Sequence, residues 1–276
     1  PSSMVDVDSI EAINKRTCSE KWAEYRKKPG SFIMFILVHL ATLITVLSIG
    51  FLLVYVLVKG IPNLNADIFS WEYTSDNCSL VPALINTVYM TLLSLLIAGP
   101  IGIFAAIYLV EYAKTGNKLV GVVRITAETL TGIPSIVYGL FGMLFFTNAC
   151  GLRLSLISGA LTLAIMVLPV IMRTTEEALM AVPKSYREGS FGLGAGKLRT
   201  VFKVVLPSAV PGILSGIILA TGRIVGETAA LIYTAGSVAK MATKLTDSTR
   251  TLAVHMYLLS KEGLHTDQGY ATAGVL

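Results

Sequence analysis

Long apolar runs separated by short clusters of charge and turn residues dominate the chain. A helix needs about 20 apolar residues to cross about 30 Å of hydrocarbon. Five runs reach that length, at about 32–58, 81–110, 120–146, 154–172 and 206–234. A sixth opens near Gly269 and runs into the last residue, Leu276, which reads as a truncated span. The pattern predicts an all-α polytopic membrane protein, a bundle of six transmembrane helices with the sixth cut short. Glycine and proline fall inside several runs, at Gly99 and Pro100, Gly132 and Pro134, Pro169 and Pro211. In a bilayer such breaks persist where neighbouring helices or a cavity satisfy the freed backbone groups, so the bundle is expected to bend or to surround something. Gly212 with Gly216 and Gly222 with Gly226, extended by Ala220 and Ala230, form successive small-xxx-small pairs. That spacing serves either packing within the chain or a subunit interface.

Composition agrees with this reading. Of 276 residues, 54% are hydrophobic and only 14% charged, against about 25% charged in an average soluble domain. Mean hydropathy is +0.70 and the pI about 9.1. The net charge of +5 is mild and spread among apolar runs, unlike the concentrated basic face of a nucleic-acid reader. The cysteines, Cys18, Cys78 and Cys150, and the histidines, His39, His255 and His265, form no close ligand pair, so no metal site is expected. His39, within the first run, reads as a packed neutral histidine.

Charge placement orients the chain. Lys15, Arg16, Lys21, Arg26, Lys27 and Lys28 precede the first run, which is too long for a cleaved signal peptide, so residues 1–30 are expected to be a cytoplasmic N-terminal segment and 31–276 the transmembrane domain. Lys114 and Lys118, and then Lys184, Arg187, Lys197, Arg199 and Lys203, fall on the same side, as the positive-inside rule asks. Lys59, Arg153, Lys240, Lys244, Arg250 and Lys261 fall outside, four of them in one long loop. Cys78 and Cys150 then lie in two external loops, a candidate disulfide whose geometry a sequence does not give.

The loop between the fourth and fifth runs, 174–205, holds short amphipathic pieces around Gly192, Gly194 and Gly196. The Gly196 and Lys197 pair is not a phosphate-binding P-loop: Phe191 stands where glycine is needed, and Leu198 where Ser or Thr would hold magnesium. Any ATP hydrolysis, with its ATP and magnesium, therefore belongs to a partner, and the chain itself needs no cofactor and is not an enzyme. Glu188, Gly194, Leu206 and Pro207 stand at the spacing E-A-A-x3-G-x9-I-x-L-P, with Gly189, Ser190 and Val204 in place of the two alanines and the isoleucine. This stretch resembles the EAA motif of ABC importer permeases. The resemblance implies two short coupling helices that dock in a groove of the ATP-hydrolysing subunit, with Tyr186, Glu188, Gly194, Leu206 and Pro207 as docking residues.

NTVYMTLLSLLIAGPIGIFAAIYLVEYA from Asn86, LTGIPSIVYGLFGMLFF from Leu130 and GRIVGETAALIYTAG from Gly222 look like the phosphate-specific ABC transporter permeases, and TLAVHMY from Thr251 is most like the PstA-type subunits. That resemblance spans about 86–276. It implies inward phosphate transport across a bacterial or archaeal inner membrane. The implied partners are a second homologous permease, an ATP-binding subunit dimer, an extracytoplasmic phosphate-binding protein and membrane lipid.

Arg223 lies 12 residues beyond Pro211, about 18 Å along a helix, near mid-bilayer. A charge there costs on the order of 2.5–3.5 kcal/mol. Glu227, four residues on, is expected on the same helix face, where the two form either a structural ion pair or an anion relay whose guanidinium fork meets phosphate oxygens. In the relay, Glu227 accepts the proton that monohydrogen phosphate still carries. Arg124 and Glu128 repeat the spacing near the start of the third run, where both can reach the interface, and are a secondary candidate for the pathway. A self-contained secondary transporter or channel would share the bent helices and the buried pair, but it has no ATPase to dock. A scaffold without a pathway would not need the mid-membrane charge.

Overall fold

The computed structural model describes residues 29–114, 116–263 and 265–276. They are helices joined by turns, with no strand among them. The described residues fall into two units, ending and beginning at Tyr55 and Val56. Helix α1, Pro29–Gly60, carries 32 residues with apolar side chains all round, as a lipid-facing span does. Within it the His39 Nδ1 meets the Phe35 carbonyl at 2.8 Å, and its ring rests against that of Phe35. This is a local contact rather than the packed histidine expected. The N-terminal segment 1–28, including Cys18, lies outside the described residues.

The second unit contains the bundle. Helix α2 is Val81–Ile107, extended by a π-turn at Tyr108–Tyr112. Helix α3, Lys118–Thr131, and α4, Ser135–Gly142, form an apolar pair bent by 104° at the break between them, and a π-turn carries α4 on to Ala149. The break falls where the sequence places Gly132 and Pro134, because the residue before a proline avoids helical backbone. Helix α5 is Leu156–Ala181. The short helices α6, Lys184–Gly192, and α7, Lys197–Thr200, follow, and a π-turn at Val201–Val205 leads into α8, Leu206–Val225. Beyond it come α9, Ala229–Thr234, α10, Leu252–Glu262, and α11, Thr266–Val275.

Helix α5 is the hub, 72% buried over its most apolar stretch, and it packs against α2, α3, α4 and α8. The α8 contact depends on Gly212 and Gly216. A Cβ at Gly212 would lie 2.6 Å from that of Ala178, and one at Gly216 would collide with Thr174. Gly222 has open space at its Cβ position, and Gly226 nears only its own helix backbone. The first small-xxx-small pair is thus packing within the chain.

Three boundaries differ from the apolar runs. The fourth run continues as helix through Ala181, so residues 174–181 belong to α5 and the loop begins at Val182. The fifth run stops at Val225 and restarts as α9. The sixth is a ten-residue helix, α11, turned back on α10 through Gly263. Four described helices are long and apolar enough to span a bilayer, five with the bent pair counted once.

At the end of the bundle opposite α6 and α7, polar side chains tie the long loop 235–251 to α2. The Asn86 amide donates to the carbonyls of Lys240 and Arg250, its oxygen accepts the Ala242 N–H at 2.9 Å, and Thr87 Oγ1 accepts the Leu252 N–H at 2.8 Å. A fully bonded buried amide locks a loop that lacks a core of its own.

Candidate functional site

Two breaks in long helices meet inside the bundle, between α3 and α4 and between α8 and α9. Helices α4 and α9 touch through glycine: a Cβ at Gly139 would stand 2.8 Å from the Ala230 Cα. The buried Tyr138 closes the first break by donating its hydroxyl to the Leu130 carbonyl at 2.7 Å. Arg223, half-buried on the last turn of α8, lies within electrostatic reach of that hydroxyl. Among the described residues it has neither a hydrogen-bond nor an ion-pair partner.

Glu227 does not share a helix face with Arg223. Helix α8 ends at Val225, and Gly226 adopts φ −82, ψ −3 as its cap. The buried Glu227 carboxylate accepts the Ala230 N–H at 3.0 Å instead. The N–H groups of a first helical turn have no partner within the helix, and the carboxylate satisfies one of them. The break thus leaves Arg223 apart from the Glu227 carboxylate, which is engaged at the start of α9.

At the other end of α5 and α8 lies the loop 182–205. Gly194, between α6 and α7, adopts φ +82, a left-handed conformation that glycine takes without strain. Around this elbow Leu193 is 91% exposed, with Tyr186, Phe191 and Leu198 also exposed. Glu188 points outward from α6. Leu206 packs into a core cluster with Leu179, Val201 and Val205, and Pro207 occupies the first turn of α8. An exposed apolar tip of this kind suits contact with a protein or a membrane.

Residues 98–276 match the family described as the binding-protein-dependent transport system inner membrane component. The chain belongs to that family. The permease is 34% identical over 247 residues to the probable ABC transporter permease protein YqgI of Bacillus subtilis (strain 168), covering 82% of each chain. It is 31% identical to the phosphate transport system permease protein PstA of Haemophilus influenzae, over 84% of this chain and 83% of that one. With PstA of Xylella fastidiosa (strain 9a5c) the identity is 40%, over 64% of this chain and 62% of that one. A chain of the MetNI methionine ABC transporter, solved in inward-facing conformations, has the same fold, with a TM-score of 0.54 at 22% identity over 71% of the permease and 87% of that chain. The permease is therefore a multi-pass inner-membrane protein of an importer.

The remaining candidates in the permease are placed differently from expectation. Arg124 on α3 pairs with Glu176 on α5, not with Glu128. The Glu176 side chain is only 10% exposed, so a cation from another helix gains more there than beside the exposed Glu128. Arg124, Glu128, Arg173, Glu176 and Glu177 share a cleft of about 280 Å³, in which Arg173 Nε also meets Glu177 at 3.1 Å. Cys78 and Cys150 are separate free thiols, one buried and one exposed, so the candidate bridge is absent. Burial pushes the Cys78 thiol up from its ordinary range. No cluster of three metal-ligating side chains occurs among the described residues. Tyr138 and Leu193 are candidate residues that the sequence reading does not single out. The Tyr138 role depends on a break folding back on itself, and Leu193 looks like one more apolar residue beside a glycine.

Proposed function

We propose that the chain is a PstA-type permease subunit that carries inorganic phosphate into the cytoplasm. Its counterparts are a second homologous permease, a dimer of ATP-binding subunits that hold ATP and magnesium, and an extracytoplasmic phosphate-binding protein. The observation that supports this most is the half-buried Arg223, with no hydrogen-bond or ion-pair partner among the described residues, where two helix breaks meet. A lone guanidinium inside a bundle gains from an anion whose oxygens match its fork, and relatives covering most of the chain carry the name phosphate transport system permease protein. Glu227 stands in the same break and accepts a hydrogen bond from the proton that monohydrogen phosphate still carries, whereas fully ionised sulfate offers no donor and is repelled. The cleft around Arg124 and Glu128 forms a second, interfacial part of the path. Residues 31–276 form the permease domain. The N-terminus is cytoplasmic, which puts α6 and α7 in the cytoplasm, where Tyr186, Glu188 and Gly194 dock the ATPase and Leu206 and Pro207 seat the loop.

The test is phosphate uptake in cells that lack other phosphate systems, with assembly followed by co-purification. Arg223→Lys keeps the charge and loses the fork, so uptake should fall on the order of tenfold in an assembled complex, with Arg223→Ala lower still. Full uptake by Arg223→Lys would refute the gripping role.

A further inference from the structure

Arg187 is the neighbour of the docking residue Glu188 on α6, but it points the other way. Its side chain is 18% exposed and makes four short contacts. Nε and Nη2 donate to one carboxylate oxygen of Glu111 at 3.0 and 2.6 Å, Nη1 donates to the Val182 carbonyl at 2.9 Å, and Nη2 donates to the Leu179 carbonyl at 2.9 Å. Glu111, 9% exposed, belongs to the π-turn that ends α2. A second tie reaches the same turn from the other half of the loop: the Lys197 ammonium of α7 lies 5.0 Å from the ring centroid of Tyr112. The two halves are also joined to each other, Ser190 Oγ to Thr200 Oγ1 at 2.8 Å. Leu109, in the same π-turn, is buried in the core cluster with Leu179, Val182 and Val205. The turn is thus anchored in the core by one side chain and grips the loop by two others.

We infer that Arg187 is a positioning residue that seats the coupling loop on the end of α2, so that displacement of the loop reaches the bundle through α2 as well as through α5 and α8. This rests on the reading that the loop docks an ATPase. By covalent connection alone, α6 and α7 could pivot on the joints at Val182 and Val205, and an ATPase could move them without moving the core. Arg187 blocks that pivot because one rigid fork binds α2, the end of α5 and α6 together. Lysine has three donors on a single nitrogen at the end of a flexible stem, and lacks the spread fork that reaches Glu111, Val182 and Leu179 from Nε, Nη1 and Nη2.

The test uses the whole complex in proteoliposomes, with permease pair, ATPase and phosphate-binding protein, and reads phosphate moved per ATP hydrolysed. Glu111→Gln is isosteric, and Arg187→Lys keeps the charge. Neither alters the exposed tip around Leu193, so the ATPase should stay bound and keep hydrolysing ATP. Phosphate moved per ATP should fall about tenfold, within the range seen for residues that carry coupling between sites. An unchanged ratio in both variants overturns the inference, since transport and hydrolysis then stay linked without the clamp. Loss of the protein from the membrane in Glu111→Gln also overturns it, making the contact a folding bond. A wild-type chain that purifies without any ATPase refutes the docking reading itself, an outcome distinct from wild type coupling normally while the variants do too.

Discussion

His255 makes the far cap of the bundle sensitive to acid by an amount that follows from its surroundings. The imidazole is fully buried on α10, with Nε2 3.3 Å from the Cys78 carbonyl, its ring edge-on to Tyr73 and Nδ1 unbonded. Burial, and then the Arg250 guanidinium, which lies over the Tyr73 ring, lower its pKa from 6.5 to about 4, against a smaller upward pull from the Cys78 carbonyl. Between those values the unfolded chain binds a proton that the folded chain refuses, so acid favours opening. The contribution to stability is whole above pH 6.5, falls as pH drops from 6.5 to 4 and is flat below. The full loss is on the order of 3 kcal/mol, and about 2 kcal/mol is gone by pH 5. Thermal unfolding in detergent at pH 7.5 and pH 5 reads this, with His255→Gln as the comparison because glutamine does not titrate and its amide can still donate to Cys78. The wild type should lose several degrees more than the variant between the two pH values. Equal losses in both proteins would refute the assignment of the acid sensitivity to His255.

Two substitutions test the elbow and the hub. Gly194→Val puts a β-branched side chain at φ +82, a strain of roughly 1–3 kcal/mol. Co-purifying ATPase should drop severalfold while the permease stays in the membrane, and unchanged co-purification would count against the elbow. Gly216→Val drives a side chain into Thr174, at a cost of about 1–3 kcal/mol. Its melting temperature should fall, while that of Gly222→Ala, which meets open space, should stay within error, and equal shifts would remove α5 as the partner of Gly216.

The spans and their breaks were legible because they depend on neighbours in sequence. Twenty apolar residues, or a glycine and proline together at 132 and 134, act on the backbone where they stand. The extent of α5 was not legible. Arg173, Glu176 and Glu177 look like a loop, and only Arg124, reaching over from α3, makes Glu176 acceptable inside a helix. The relation of Arg223 to Glu227 failed for a local reason that was present but read otherwise. In the sequence Gly226 reads as a small residue for close packing, whereas it ends α8 and releases the carboxylate to the first turn of α9. Arg187 was counted only toward the basic excess of its loop. Its partner lies 76 positions away, beyond the reach of any periodicity.

The placement of α2 and α8 connects the loop 182–205 both to Arg223 and to the far cap of the bundle. Helix α8 starts at Leu206, beside the elbow, and carries Arg223 on its last turn, about 25 Å away along the axis. Helix α2 has Glu111 and Tyr112 in the grip of the loop at one end, and Asn86 and Thr87 bonded to Lys240, Arg250 and Leu252 at the other. Each helix has a proline in its interior, Pro100 in α2 and Pro211 in α8, where one backbone rung is missing. A pull on the loop therefore bends these helices at a fixed place more readily than it slides them, because Gly212 and Gly216 interlock α8 with α5. Bending at Pro211 swings the first turn of α8 against the segment that Gly212 and Gly216 hold on α5, and bending at Pro100 turns the segment of α2 that holds the loop 235–251. A stroke at the loop would then reach the loop 235–251 through α2, while α8 passes it to the hub α5 through the Gly212 and Gly216 contacts.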